Sequence, residues 1–367
     1  MSGVLFGGPS PEHDISILTG LQALRELERG GETPLGIYWT KTGSFYSVTR
    51  DVEAEAFLDG VPKGSSELEL HLGDEGGFYA SGGRLGRGRR LTLDALVLAT
   101  HGGPGEDGTL QGALDLAGVA YTGPSVAGAA LGMDKWTFAS LVERAGLPTL
   151  PRALLTRDTT SLPFAGPYIL KPRFGGSSIG IDVVADLATA MARLGSNTHL
   201  ANGCVVEPYR QDLTDLQIAV RTYPVVDLSA IERPLRRSSD AEILNYRDKY
   251  VGGEGMVSAP RELPAVLRAD QRDGVVRYAT IIADLAQVRG VARIDFLASD
   301  AELYVNEINT IPGSLAKHLF VDPPLAFATL LRDLLSEARA RPAHRYSVAG
   351  ADGVVLRAAG SIAAKLA

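Results

Sequence analysis

Cysteine is almost missing from this chain of 367 residues. Cys204 is the only one, which excludes a disulfide framework and any multi-cysteine zinc site, and suits a reducing compartment. Long apolar runs are missing too: none reaches the roughly 18–20 residues that a transmembrane helix needs. The opening MSGVLFGGPSPEHDIS lacks the charged and apolar regions of a signal peptide, so a cytoplasmic location is expected. Positive charge is not in excess. With a net charge of −7 and a pI of about 5.5, no basic field draws the chain to nucleic acid or to an anionic membrane. Lysine is scarce, seven against 29 arginines, and Lys135, Lys171 and Lys249 fall inside the motifs below.

What is present is a composition 45% hydrophobic and 22% charged, that of a globular chain able to bury a sizeable core. At roughly 150 residues per domain, the length allows two or three domains. Residues 3–6 (GVLF) read as a strand, GGPSPEHD as a turn, ISILTGLQALREL as a helix and PLGIYW (34–39) as a second strand. The stretch 41–90 reads as irregular, ending in a basic loop, GGRLGRGRR, taken as solvated surface. LDALVLATHGG (93–103) is a buried strand ending in glycines, and 110–118 is a helix with a glycine stop. This β-α-β-α alternation predicts an N-terminal α/β domain (1–123) on a parallel sheet, with ligands at the carboxyl ends of its strands.

Residues 124–206 read as α+β: helices near 125–132, 134–145 and 186–195, and strands at 167–172, 180–184 and 204–209. This pattern predicts a nucleotide lid. From 207 to 335 come more strands, a helix at 270–289 and the hairpin VARIDFLASDAELYVNEINT, and 336–367 is an Ala/Arg-rich extension.

The hairpin carries the strongest local chemistry. Side chains alternate faces along a strand, so Arg293 shares a face with Asp295, and Glu307 shares one with Asn309. A short turn near residue 301 sets Asp295 roughly opposite Glu307. Two carboxylates and an amide oxygen on one patch suit Mg²⁺, with a solvent-facing polar strand side as the alternative. In ILKPRFGGSSIGI (169–181), Lys171 precedes Gly175, Gly176, Ser177 and Ser178, a small-residue loop whose N–H groups and hydroxyls can approach phosphate. It is not the P-loop pattern. In ATHGGPGEDGTLQG (99–112), Glu106 and Asp107 read as caps of the following helix. Glu12, at the GGPSPEHDIS turn, is placed either to hold a substrate ammonium or to favour the helix N-terminus.

Taken together, GGPSPEHDIS, HGGPGEDGTLQGALDLAGVAYTG, ALGMDK, ILKPRFGGSSIGI, NYRDKY and ARIDF…LYVNEINTIPG, in that order over residues 1–335, resemble the D-alanine–D-alanine ligase family of the ATP-grasp superfamily. The resemblance implies a three-domain ATP-grasp architecture. It also implies a ligase in which ATP phosphorylates one D-alanine and the amine of a second attacks the acylphosphate. Lys135, Lys171 and the 175–178 loop then contact ATP phosphates, Glu207 the adenine, and Lys249 the nucleotide from a mobile loop. Asp295, Glu307 and Asn309 hold two Mg²⁺ ions, with Mn²⁺ able to replace them. Glu12 binds the first substrate's ammonium, Arg293 and the Gly313 backbone stabilise the oxyanion, and Ser177 and Tyr250 hydrogen-bond across the closed site. His101 stands near the substrates, and a homodimer is implied.

Three departures qualify this. Pro208 stands where the family often has lysine, and the ribose-binding acid is either Asp212 or Asp215. After Pro312-Gly313, the serine that helps bind the acceptor carboxylate is replaced by His318, next to Leu319. His318 or Lys317 then holds that carboxylate, or the acceptor differs, or His318 is structural. The 336–367 tail is a surface helix, part of the acceptor pocket or a dimer contact. Two other functions remain open at this point: a relative joining or cyclising a different amino acid, and a nucleotide-binding regulator without catalysis.

Overall fold

The computed structural model describes residues 1–82, 88–235, 260–341 and 347–366. The basic loop tip (83–87) and the NYRDKY segment with Lys249 and Tyr250 lie outside the described residues.

β1 (Ser2–Gly7) is buried along its whole length, as a strand covered on both faces must be. α1 (His13–Arg29) returns across it, with Ile17, Leu21, Leu24 and Leu27 at helical spacing on its buried face. Gly20 faces Phe6, where an added Cβ would stand 2.4 Å from that side chain, so only glycine lets α1 lie this close to β1. β2 (Leu35–Trp39) and β6 (Ala95–Leu98) flank β1 in parallel. Beyond β2 the sheet continues antiparallel through β3 (Phe45–Val48), β4 (Ser66–His71) and β5 (Gly77–Ala80).

The expected parallel sheet is therefore a mixed one, ordered β5-β4-β3-β2-β1-β6, and the stretch expected to be irregular supplies its antiparallel half. These strands are short. In β4 Leu68 and Leu70 alternate with Glu67 and Glu69, but the run holds only two leucines and only Leu68 is buried, so the strand signal is short. The parallel strands β1 and β6 end at the loops holding Glu12 and His101, at the carboxyl edge where such sheets bind ligands.

α2 (Thr109–Leu116) leads to α3 (Val126–Met133) and α4 (Lys135–Arg144). A second, antiparallel sheet follows, ordered β7-β10-β8-β9: β7 (Ala153–Leu155), β8 (Tyr168–Pro172), β9 (Asp182–Val184) and β10 (Cys204–Pro208). α5 (Leu187–Ser196) adds Ala190 to its core. The third sheet runs β12-β11-β15-β16, from β11 (Thr214–Arg221), β12 (Asp227–Leu228), β15 (Val291–Ala298) and β16 (Leu303–Asn309). A small pair, β13 (Arg233–Pro234) and β14 (Arg261–Glu262), precedes α6 (Ala269–Leu285).

The three cores cut across the sequence intervals. Phe138 and Val142 of α4 pack with Ile218, Ile294 and Phe296 in the third core, although the sequence groups α4 with the lid. α7 (Phe327–Ala340) runs through residue 335, and its Leu330, Leu331, Leu334 and Leu335 join the first core. The tail then ends in two short helices, α8 (Val354–Ala358) and α9 (Ile362–Leu366). Leu331→Ala is expected to cost about 2–5 kcal/mol in urea unfolding. Val355→Ala, at an exposed tail position, is expected to stay within about 0.5 kcal/mol. Equal effects would remove α7 from the core that holds the first sheet together.

Candidate active site

The hairpin β15–β16 has the register its sequence implies: Asp295 lies opposite Glu307, and Arg293 opposite Asn309. A register shift follows Asp295, so Phe296 pairs with Val305 and Asn306 is left extra. Such a bulge re-aims side chains. Here the Asn306 carboxamide oxygen accepts from Lys171 Nζ at 3.1 Å. Arg293 donates two bonds to Asp295, each 2.7 Å, and Asn309 Nδ2 donates to the same carboxylate at 3.1 Å. Lys135 Nζ stands 3.3 Å from Glu307 Oε2 and also donates to the Gly175 carbonyl.

Lys135 is positioned by its neighbour. Asp134 caps α4, accepting from the N–H groups of Trp136 and Thr137, and receives a two-pronged bond from Arg173. Burial works against the charge on Asp134. The bonds from Arg173 and Thr137 outweigh it and hold the carboxyl down at about 2. That pair ties the first turn of α4 to the strand end before the Gly175–Ser178 loop, where Ser177 and Ser178 adopt φ of 51° and 58°. Lys171 and Glu207 face each other across β8 and β10 at 2.8 Å. The other Glu207 oxygen lies 2.6 Å from Arg152 Nε. Burial raises the Glu207 carboxyl, and the Arg152 and Lys171 charges more than offset it, so it stays below the usual range.

Glu12 joins the first sheet to the lid by accepting from the Ser177 hydroxyl. Its carboxylate fits between Gly102 and Gly176, where an added Cβ would come within 2.4 and 2.8 Å of it. Asp215 lines the cleft; Asp212 does not, being engaged by Arg210 at 2.8 and 2.6 Å. Gly313 and His318 also line the cleft, whereas Leu319 is fully buried in the first core. None of the described tail residues 347–366 lines it.

The sequence reads Ile311-Pro312-Gly313 after the hairpin as a turn that leaves backbone N–H groups near the site; the left-handed backbone that follows it has no counterpart in that reading. Ser314, Leu315 and Ala316 all adopt left-handed φ, 48° to 52°, at a cost of roughly 1–2 kcal/mol each for non-glycine residues. Burial of Leu315, Ala316 and Leu319 in the first core offsets this. Side chains from the first domain hold the same turn. His101 donates from Nδ1 to the Ile311 carbonyl at 2.8 Å, and its Nε2 accepts from Thr19 Oγ1 at 2.8 Å. Thr19 Oγ1 in turn accepts from Ser314 N at 3.1 Å. Burial, together with the Arg293 charge, pulls the imidazole down to about 4, so it is neutral at pH 7 with both ring nitrogens engaged.

Glu106 accepts from Ile311 N at 3.0 Å and from Gly102 N at 2.9 Å, which is more than the helix cap its position implies. Burial and the Glu12 charge push its carboxyl up to about 7. Between about pH 4.5 and about 7 the folded protein therefore keeps a proton that the unfolded chain releases, and stability falls as pH rises through that window. Glu106→Gln is expected to flatten this slope in urea unfolding at pH 5 and 7.5; an unchanged slope would assign it to other groups.

Sequence reasoning missed Arg152, Glu232, Asn306 and the role of Glu106. Each acts through a partner at least 50 residues away along the chain, and nothing in its local context marks it.

A lysine-bearing Gly/Ser hairpin closing over an acidic, arginine-bearing hairpin, with a parallel-sheet domain completing the cleft, defines the ATP-grasp class of ATP-dependent carboxylate–amine ligases. The family models for the N-terminus and the C-terminus of D-alanine–D-alanine ligase match residues 2–124 and 130–336. The D-alanine–D-alanine ligase of Nitratiruptor sp. is 30% identical over 335 residues, covering 90% of this chain and 92% of that protein. The Mycobacterium ulcerans ligase is 31% identical, covering 92% and 95%. The crystal structure of the Helicobacter pylori ligase superposes with a TM-score of 0.71 at 25% identity, over 92% of this chain and 98% of that one. The chain belongs to the D-alanine–D-alanine ligase family.

Proposed function

We propose that the protein joins two D-alanine molecules at the expense of ATP, supplying the dipeptide for peptidoglycan precursors. The observation that carries this reading is the convergence of Glu12, Ser177, Arg293, Asp295, Glu307 and Gly313, from three separate cores, on one cleft.

Lys135, Lys171 and the 175–178 backbone grip the ATP phosphates, Glu207 and its neighbouring backbone take the adenine, and Asp215 the ribose. Lys249 and Tyr250 belong to the same proposal but lie outside the described residues. The donor set of Asp295, Glu307 and Asn309 fits hard divalent ions, two carboxylates and an amide oxygen on one strand face with cationic neighbours in Arg293 and Lys135. Two Mg²⁺ ions, or Mn²⁺, bound there would neutralise charge on the transferring phosphoryl group.

Glu12 holds the ammonium of the first D-alanine, which orients its carboxylate toward the γ-phosphorus. A carboxylate oxygen forms the new O–P bond as the bond to the β-phosphate oxygen breaks, giving an acylphosphate and ADP. The neutral amine of the second D-alanine attacks the acyl carbon and gives up one N–H proton, which leaves with the phosphate as the amide forms. Arg293 and the Gly313 N–H receive the oxyanion, and inorganic phosphate leaves as the peptide carbonyl re-forms. His101, Thr19 and Glu106 hold the 311–314 turn that presents Gly313. His318 and Leu319 belong to the acceptor side, His318 on the cleft wall and Leu319 packed behind it.

A cytoplasmic homodimer is part of the proposal. No helix among the described residues is long and apolar enough to cross a membrane. A second reading, a relative that joins or cyclises another amino acid, draws on His318 alone.

Coupled ADP release with Mg·ATP and each of D-alanine, L-alanine, D-serine and D-lactate, followed by mass spectrometry, tests the proposal. Turnover with D-alanine and its dipeptide is expected. Silence with D-alanine would overturn the substrate assignment.

A further inference from the structure

Arg152 stands between the lid sheet and the acidic hairpin and takes no part in the reaction steps above. It precedes β7 on a connection tied along β16. Val305 N donates to the Pro148 carbonyl at 2.8 Å, and Thr149 Oγ1 donates to the Val305 carbonyl at 3.1 Å. The Arg152 side chain is 4% exposed and does not line the cleft.

Its guanidinium meets three elements of the nucleotide site. Nη1 donates to the Lys135 carbonyl at 3.1 Å, and Nη2 to the Asn306 carbonyl at 2.7 Å. Nε stands 2.6 Å from Glu207 Oε1 without the alignment of a hydrogen bond, so that contact acts by charge. Asn306 is the extra residue of the bulge, next to Glu307, and its side-chain oxygen accepts from Lys171. One buried cation therefore joins α4, the lid sheet and the third sheet behind the two lysines assigned to the ATP phosphates.

The charges decide what this arrangement does. Arg152, Lys171 and Glu207 sum to one net positive charge, with the carboxylate buried away from water. Burial works against the Glu207 charge, and Arg152 and Lys171 together keep it ionised. Without Arg152 that charge falls to Lys171, and the pair is neutral where a polyanion binds. β10 itself offers proline after Glu207, at the position where the family often has lysine.

We infer that Arg152 is a positioning residue for ATP. It balances Glu207 so that the Lys171 charge is left for the phosphates. It also holds Lys135, Lys171 and the β16 bulge in one register across the joint between lid and hairpin. The inference rests on the ATP-grasp ligase reading and adds to it a residue that stands behind the cleft wall.

Arg152→Met removes the charge and keeps a long apolar stem. It is expected to weaken Mg·ATP by about 10- to 100-fold in calorimetry, the range of one contact to a charged group, and to raise the KM for ATP alike. Adenosine, which carries no phosphate, should bind as before, and the KM for D-alanine should hardly change. Arg152→Lys keeps a cation beside Glu207 but loses the two carbonyl bonds. It should show the same ATP-selective loss in smaller size, which keeps the test open if the methionine variant does not fold. Adding Glu207→Gln to Arg152→Met removes the charge that Lys171 has to balance. The ratio of ATP to adenosine affinity should then rise back toward that of the wild type.

An Arg152→Met protein that melts early but binds Mg·ATP as the wild type does would make Arg152 structural and the inference wrong. Equal weakening of ATP and adenosine, or a double variant whose losses simply add, would also overturn it. Binding is read without amino acid. Silence toward D-alanine with the ATP-selective loss intact would therefore overturn the substrate assignment alone and support the role of Arg152. A wild-type protein that bound no Mg·ATP would remove the ligase reading and the inference together.

Discussion

Asp295→Asn is expected to lower turnover by at least about 10³-fold, from the loss of several kcal/mol of charge stabilisation on the transferring phosphoryl group. The substitution is nearly isosteric. It keeps one acceptor for the Arg293 fork but puts a donor where the second prong arrives, at a position 5% exposed. The folded state therefore survives with a lower melting temperature, because Phe296, Ile294 and Ile308 still anchor both strands. Steady-state ADP release and a thermal melt on the same sample check both halves. Turnover within tenfold of wild type in a folded Asp295→Asn protein would exclude Asp295 as a metal ligand. Glu307→Gln, which removes the charge facing Lys135 at 3.3 Å, should lower turnover alike.

Arg293→Lys is expected to cost about 10²–10³ in kcat, the loss typical of one oxyanion donor, while the KM for ATP changes little. An oxyanion exists only after the amine has attacked, so its donor contributes to the transition state and not to substrate binding. Lysine keeps the charge but loses the planar fork that grips both Asp295 oxygens. If KM for ATP rose as much as kcat fell, Arg293 would belong to nucleotide binding instead.

The hairpin was readable from sequence because it is local. Alternation of faces over residues 291–309 and one short turn are enough to set Asp295 opposite Glu307. α1 was readable for the same reason, from apolar residues at helical spacing. The strands β3 to β5 were not. They are edge-side, half-exposed and short, and they become strands only because β2 offers a free edge to pair with.

Glu106 looked like a helix cap because its neighbours are helix-opening residues. Its bond to Ile311 spans 205 positions, and no local pattern encodes it. The left-handed turn at Ser314–Ala316 was likewise invisible, since left-handed backbone is normally signalled by glycine, and here burial in a distant core enforces it.

What the sequence by itself determined is therefore the set of local elements, the small-residue loop after Lys171, and the pairing of acids on one strand face, because each depends on residues only a few positions apart. The tertiary structure alone decided which partners those groups meet. It made Glu207 a buried bridge between Arg152 and Lys171, set Glu232 behind His318, and clamped the Gly313 turn with Thr19, His101 and Glu106. Those contacts arise only when three separate cores pack together, and the desolvation that sets the charge state of Glu106 and His101 appears only with that packing.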